Sequence, residues 1–198
     1  MRPHLLAVPA VLVVLAGCAQ SPAAPPSAGV RVPTGPGPQA SYRVHVAPPA
    51  GTCRYRYLEG KPLPDPTCTP GAVNPEVTQE SLERTICRPG YSAQVRPPRR
   101  VTDREKQLSA RAYGYTGSFR TAELDHLVPL SVGGDPNDPR NLWLQPDADL
   151  RADTSSTKDD IGARLHDAVC DGRVGLEAAQ RAIATNWVTA LRVLGLRQ

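Results

Sequence analysis

The distribution of proline limits where a compact domain can lie in this 198-residue chain. Twelve of the 22 prolines fall between residues 19 and 70. The stretch from 21 to 39, SPAAPPSAGVRVPTGPGPQ, has almost nothing to bury and is typical of an extended, semi-rigid spacer. Hydrophobic residues make up 40% of the chain, which is enough for a globular core. We therefore expect one domain of ordinary size that follows a proline-rich tether.

The first 18 residues are typical of an export signal. Arg2 precedes an apolar stretch from Leu5 to Leu15, and the segment ends in Leu-Ala-Gly-Cys at Cys18. This ending resembles the lipobox of bacterial lipoproteins, which implies that Cys18 is acylated and holds the exported protein on the outer face of a membrane. An ordinary signal peptide, in which Cys18 has no role, is the alternative. No apolar run approaches the roughly 20 residues that a membrane-spanning helix needs.

The four cysteines that follow Cys18 predict two disulfides, because an even number in an exported chain favours pairing. Three connectivities are open, and we expect the local pair Cys53–Cys68 and the long-range pair Cys87–Cys170. The second pair would close a loop of about 83 residues and stabilise the fold by roughly 4–5 kcal/mol. A zinc site is the alternative, but no two of these cysteines have CxxC spacing.

Periodicity and cap signals predict an α+β order in the C-terminal part of the chain. Helices are expected over residues 79–86, 101–112 and 176–194, and over a segment that follows N-cap candidates at 154–157 and runs to about residue 169. The second of these would begin in a capping box of Thr102 and Glu105. Strands are expected over residues 121–130 and 141–145, on either side of a Gly-Gly-Asp-Pro turn. The expected divisions are a signal at 1–18, a tether at 19–41, a cysteine-containing extension at 42–71 and the main domain at 72–198.

The motif that carries chemistry lies in residues 123–146, ELDHLVPLSVGGDPNDPRNLWLQP. Asp125-His126, followed 15 residues later by Asn141, resembles the HNH, or ββα-metal, nuclease motif. A wider resemblance to small exported bacterial HNH-like proteins covers about residues 71 to 190. It includes NPEVTQ (74–79), TIC (85–87), NLW (141–143), KDD (158–160), VCDG (169–172) and AQRAI (179–183).

The resemblance implies an α+β fold with a ββα-metal core and flanking helices. It also implies that Asp125 and Asn141 bind one divalent metal ion while His126 activates the attacking water, which makes His126 and Asn141 the expected catalytic residues. A free imidazole titrates near pH 6.5, so His126 suits the role of a base. Carboxylate and amide oxygens suit Mg²⁺ first, with Mn²⁺ or Ca²⁺ as alternatives, and Asp159 is a further expected ligand.

Neighbouring residues on a regular strand point to opposite faces, so Asp125 and His126 can share one site only if the strand is distorted. We expect a kink or bulge there, with Pro129 marking the point where pairing is disrupted. Lys158 is interpreted as a solvated charge and His166 as a histidine on a helix surface. Trp143 is expected in the core.

The charge distribution is uneven along the main domain. Residues 84–120 hold nine Lys and Arg against two acids, a net charge of +7, and residues 121–171 hold four against eleven, a net charge of −7. A basic stretch beside an acidic one fits a surface that binds a polyanion, with Arg96, Arg99 and Arg100 as expected nucleic-acid contacts. The alternative is that the two stretches pair with each other across the fold.

Three functional hypotheses follow. The first is a surface-anchored, metal-dependent nuclease that hydrolyses phosphodiesters, acting on DNA in preference to RNA. The second is a non-catalytic envelope lipoprotein that keeps the ββα scaffold as a binding or structural module. The third is a hydrolase of another phosphate ester that uses the same site. No protein partner follows from the sequence.

Overall fold

The computed structural model describes residues 31–146 and 157–197. The fold is mixed α+β, with two small antiparallel sheets and five α-helices in these ranges. The strands are β1 (Arg56–Leu58), β2 (Lys61–Leu63), β3 (Ala122–His126) and β4 (Leu142–Pro146). The helices are α1 (Tyr91–Val95), α2 (Arg99–Ala112), α3 (Thr157–Cys170), α4 (Leu176–Thr185) and α5 (Ala190–Val193). Short 3-10 helices lie at Gln79–Arg84, Phe119–Thr121, Leu130–Val132 and Trp187–Thr189.

Strands β3 and β4 form the sheet that carries the motif. They pair in regular antiparallel register from Ala122 opposite Pro146 to His126 opposite Leu142. The expected bulge is therefore absent from these five pairs, and that part of the expectation was wrong. The pairing ends before Pro129, as expected. Strand β3 also ends at His126 and does not reach residue 130, because the side-chain amide of Asn141 bonds to the backbone of Val128 and takes the place of a further strand partner.

The core lies beneath this sheet, between α2, α3 and the C-terminal helices. Its largest fully buried side chains include Trp143 and Trp187, and Trp143 is confirmed as a core residue. The rings of Tyr55 and Tyr113 stack with centroids 4.5 Å apart, and both lie near the Trp143 indole. The β1–β2 hairpin thus packs its flanking aromatic residue against the motif sheet.

Both expected disulfides are present and are confirmed. Cys53–Cys68 closes a short loop around the β1–β2 hairpin. Cys87–Cys170 ties the segment after the first 3-10 helix to the last residue of α3. Two such bonds suggest an extracellular or otherwise oxidising environment. Among the described helices, none has the length and apolar character needed to cross a bilayer.

Several element boundaries differ from the sequence-based expectation. Helix α2 begins at Arg99 after Pro98 and not at residue 101, so Thr102 lies inside the helix and the expected capping box is wrong. The expected long C-terminal helix is interrupted at Asn186, whose side chain accepts a hydrogen bond from Val188 N and so begins a new turn. The segment after Thr78 is a 3-10 helix and ends at Arg84.

Part of the expected tether lies on the domain. Gly35 N donates to Val73 O at 2.8 Å, and Gly37 N donates to Asp135 Oδ2 at 2.7 Å. A side chain at Gly35 would overlap the Asp135 carboxylate, so the close approach requires glycine there. Residues 19–30 and the expected lipidation site Cys18 lie outside the described residues.

Gly35→Ala should detach this N-terminal segment. We expect a loss of about 1–3 kcal/mol, because the methyl group forces the backbone away from Asp135. Hydrogen exchange at Gly35 N and Gly37 N should accelerate in the variant. Gly175→Ala is the matched control, since its nearest neighbour lies 3.9 Å from the added carbon. Unchanged protection of both amides would contradict the prediction.

Candidate active site

A polar cavity of about 370 Å³ lies along strand β3. It follows the strand over Glu123–His126 and is bounded by α1, by the 3-10 helix after β3 and by the first turns of α3. Two of the expected site residues, Asp125 and His126, therefore border one cavity although their strand is regular. Asp159 and Arg96 line the same cavity. The full lining is Ser92, Arg96, Glu123, Leu124, Asp125, His126, Pro129, Leu130, Ser131, Asp159 and Gly162.

The Asp125 carboxylate is buried and already bonded on both oxygens. Its Oδ2 accepts a hydrogen bond from Trp143 Nε1 at 2.7 Å, and Lys158 Nζ lies 2.8 Å from Oδ2 and 3.0 Å from Oδ1. Burial raises the pKa of Asp125, and the Lys158 ammonium and the indole N–H oppose this by favouring the carboxylate. Asp125 is thus held in a fixed orientation by two partners.

Lys158 is the residue that the sequence interpretation misplaced. It lies in the first turn of α3 with 1% of its side chain exposed, so the interpretation as a solvated charge was wrong. Besides Asp125, its ammonium donates to His126 O at 2.7 Å. A lysine followed by two aspartates at a helix start carries no sequence signal of burial.

The His126 ring is held in one tautomer. Its Nε2 lies 3.0 Å from Pro136 O, and a carbonyl oxygen can only accept, so Nε2 carries the proton and Nδ1 the lone pair. Burial lowers the pKa of His126 to about 3, and the nearby positive charges of Arg96 and Lys158 act in the same direction. The side chain is therefore a neutral hydrogen-bond acceptor at Nδ1 across the physiological pH range.

The loop between β3 and β4 places the Pro136 carbonyl. Asp135 Oδ1 accepts hydrogen bonds from Asn137 N at 2.9 Å and from Asp138 N at 2.8 Å, while its Oδ2 accepts from Gly37 N. Asp135 thus fixes the turn that contains the partner of the His126 ring. The turn itself was predicted from Gly-Gly-Asp-Pro, whereas the role of the Asp135 side chain was not.

Asn141 acts within this loop rather than at the cavity. It is fully buried, and it does not line the cavity. Its Nδ2 donates to Val128 O at 3.0 Å and to Asp135 O at 2.9 Å, and its Oδ1 accepts from Val128 N at 2.9 Å and Ala72 N at 3.4 Å. All of its hydrogen-bonding capacity is used by the backbone, so the described contacts give Asn141 a positioning role.

The substitution Asn141→Asp distinguishes a positioning role of Asn141 from a role as a metal ligand. The variant keeps the acceptor Oδ1 but loses both donated hydrogen bonds, and it leaves two buried carbonyls facing a carboxylate. We expect a loss of about 3 kcal/mol or more in urea-induced unfolding. Asn186→Asp is the control, because its Oδ1 only accepts from Val188 N and a carboxylate keeps that bond. A metal-ligand role for Asn141 would instead give unchanged stability and tighter Mn²⁺ binding.

The three expected metal ligands do not form one donor set in this arrangement. Asp125 holds an ammonium and an indole N–H, Asn141 is saturated by backbone groups, and Asp159 lies at the cavity wall. Within residues 31–146 and 157–197, no three His, Cys, Asp or Glu side chains are grouped so that they could hold a metal ion. The described donors therefore do not fit a divalent metal ion as arranged, and metal dependence stays a prediction for experiment.

The three arginines expected at nucleic acid are exposed but differ in position. Arg96 follows α1 and lines the cavity, whereas Arg99 and Arg100 begin α2 and do not line it. His166 lies on α3 with Nε2 3.0 Å from Ile86 O and also stands outside the cavity lining.

Comparison of the chain with protein-family models, with curated proteins and with solved structures finds no match.

Proposed function

We propose that this protein hydrolyses phosphodiesters at the cavity along β3, with His126 as the general base. The observation that carries the proposal is the hydrogen bond between His126 Nε2 and Pro136 O, which leaves Nδ1 as the proton acceptor of a side chain that lines a polar cavity. A general base needs a lone pair at a fixed place, and a backbone carbonyl on the opposite ring nitrogen supplies that.

The chemistry needs few groups. A water molecule gives a proton to His126 Nδ1 while its oxygen attacks phosphorus, and the bond from phosphorus to the leaving oxygen breaks. The leaving oxygen takes a proton from solvent, and the imidazolium returns its proton to solvent. The guanidinium of Arg96 neutralises negative charge on the phosphate from across the cavity. The products are one phosphomonoester and one alcohol.

The low pKa of His126 is compatible with this role. An imidazole with a pKa of about 3 is a weak base in the free protein. A bound phosphodiester adds a negative charge beside the ring, which favours the imidazolium and raises that pKa toward the working range. Substrate binding would thus switch the base from weak to effective.

The order of elements supports the likeness to HNH nucleases. The two antiparallel strands β3 and β4 are followed in the chain by α3, and the Asp-His pair ends the first strand. A ββα core with flanking helices is our proposal for this unit. The same proposal includes export through the N-terminal signal, anchoring at Cys18 and action on DNA at the cell surface.

A non-catalytic binding module is the second candidate. The observation that favours it is that Asp125 and Asn141 have their polar atoms satisfied inside the protein. A scaffold that only binds a polyanion would use Arg96, Arg99 and Arg100 and would need no base. It predicts DNA binding without cleavage.

A cleavage assay decides between the candidates. The oxidised full-length chain would be incubated with supercoiled plasmid, with structured RNA and with a small phosphodiester, in EDTA and in Mg²⁺, Mn²⁺ or Ca²⁺. Nicking of the plasmid is the expected result. Turnover of the small ester alone would favour the third hypothesis, and DNA retardation without cleavage in any buffer would favour the binding module.

Arg96→Gln should lower the turnover number, because the guanidinium lines the cavity where the phosphate would be held. We expect a fall of at least about tenfold. Arg99→Gln is the matched control, because Arg99 is exposed in the first turn of α2 and does not line the cavity. It should leave the turnover number unchanged while it reduces the salt dependence of binding by about one unit of slope. Equal effects of the two variants on turnover would contradict the placement of the phosphate beside Arg96.

A further inference from the structure

Lys158 is a buried cation in contact with both residues of the Asp-His pair. Its Nζ lies within 3.0 Å of both Asp125 oxygens and 2.7 Å from the His126 carbonyl oxygen. Lysine is almost never fully buried unless it is paired, because removing an ammonium from water is costly. The three contacts account for that burial and fix the end of β3 to the start of α3.

The ammonium lies between the two Asp125 oxygens, in the position that a metal ion bound by both oxygens would take. The carboxylate faces Lys158 with both oxygens, and its Oδ2 also accepts from the Trp143 indole. A divalent ion within bonding distance of these oxygens would lie against a positive charge that is itself fixed by His126 O. Ion and ammonium therefore compete for the same carboxylate.

We propose that Lys158 occupies the cation position of this site, so that Asp125 binds an ammonium in place of a divalent metal ion. Lys158 is then a positioning residue: it orients Asp125 and the backbone of His126 and supplies a fixed positive charge behind the cavity. One part of this inference rests on the function proposed above, namely that hydrolysis proceeds without a metal ion on Asp125.

Direct metal binding tests the position of Lys158 without any assay of activity. The oxidised full-length protein would be titrated with Mn²⁺, with free Mn²⁺ followed by electron paramagnetic resonance. We expect the wild type and Asp125→Asn to bind Mn²⁺ equally weakly. Lys158→His removes the ammonium and adds a nitrogen donor beside Asp125, so it should bind Mn²⁺ at least about tenfold more tightly than the wild type.

Two further variants test whether the gain in Mn²⁺ affinity comes from a site at Asp125. Lys158→His combined with Asp125→Asn should lose the new Mn²⁺ site, because its carboxylate ligand is gone. Lys106→His is the matched control, since Lys106 lies over the Phe119 ring and outside the cavity lining. A wild-type Mn²⁺ site that Asp125→Asn abolishes would overturn the inference, and so would a folded Lys158→His that gains no site.

Wild-type protein alone supplies a second measurement if the Lys158 variants do not fold. Cleavage that continues in EDTA at the rate seen with Mg²⁺ supports the inference. Cleavage that EDTA abolishes and Mg²⁺ restores overturns it while supporting the proposed hydrolysis. Absence of cleavage in every buffer overturns the proposed hydrolysis, and the wild-type Mn²⁺ titration still decides whether Lys158 or a metal ion occupies the position.

Discussion

Replacing His126 with glutamine should lower the turnover number for phosphodiester cleavage by about 10²- to 10⁴-fold. Glutamine can still donate a hydrogen bond to Pro136 O, so the loop keeps its partner while the proton acceptor is lost. The melting temperature should change little. The measurement is plasmid nicking under saturating substrate, with the melting curve recorded on the same preparation.

The design of this experiment separates base catalysis from packing. His166→Gln is the matched control, because His166 bonds to a backbone carbonyl, that of Ile86, but does not line the cavity. His126→Ala leaves space at the cavity, so added imidazole should restore part of the cleavage. A His126→Gln protein that cleaves at the wild-type rate would end the proposed mechanism, as would equal losses in both glutamine variants.

Removing the Cys87–Cys170 disulfide should cost more stability than removing Cys53–Cys68. The two bonds span 83 and 15 residues, and the chain-entropy model assigns them about 4.5 and about 3 kcal/mol. Urea unfolding of the two double Cys→Ser variants measures the difference directly. The order should hold because the longer loop restricts the unfolded chain more strongly.

Each disulfide variant serves as the control for the other. Each variant retains one disulfide, and each carries two Cys→Ser substitutions. A smaller loss for the Cys87–Cys170 variant would show that native contacts around the bond, and not loop entropy, set its contribution. A melting temperature of the Cys87–Cys170 variant equal to that of the wild type would contradict the pairing of these two cysteines.

Much of the fold could be predicted because it depends on local signals. The strands beside the Gly-Gly-Asp-Pro turn and the approximate helices follow from patterns and spacing. The cysteine count predicts two disulfides but leaves three connectivities open, and the structure contains the expected one. The β1–β2 hairpin was missed because its strands have three residues each and contain a proline at Pro62. Its turn places Glu59 and Gly60 at positive φ, and the dipeptide Glu-Gly is only a weak predictor of that geometry.

The site was predicted less completely because the roles of its side chains depend on tertiary contacts. Asp125 and His126 were expected to share a site and both line one cavity, although the proposed bulge is absent. Lys158 could not be distinguished from a surface lysine, since its burial follows from the packing of α3 against the end of β3. The role of Asn141 also depends on tertiary contacts. An amide at that spacing suits a metal ligand and a residue that holds the loop backbone equally well.

The Cys87–Cys170 bond also has a topological consequence. Every residue that lines the cavity, from Ser92 to Gly162, lies between these two cysteines in the chain. The cavity is therefore built entirely from one covalently closed ring of polypeptide. A protease that cuts any single peptide bond within the ring leaves the two fragments joined, so one nick cannot separate the parts of the site. Such a nicked protein would migrate as one band until a reductant is added.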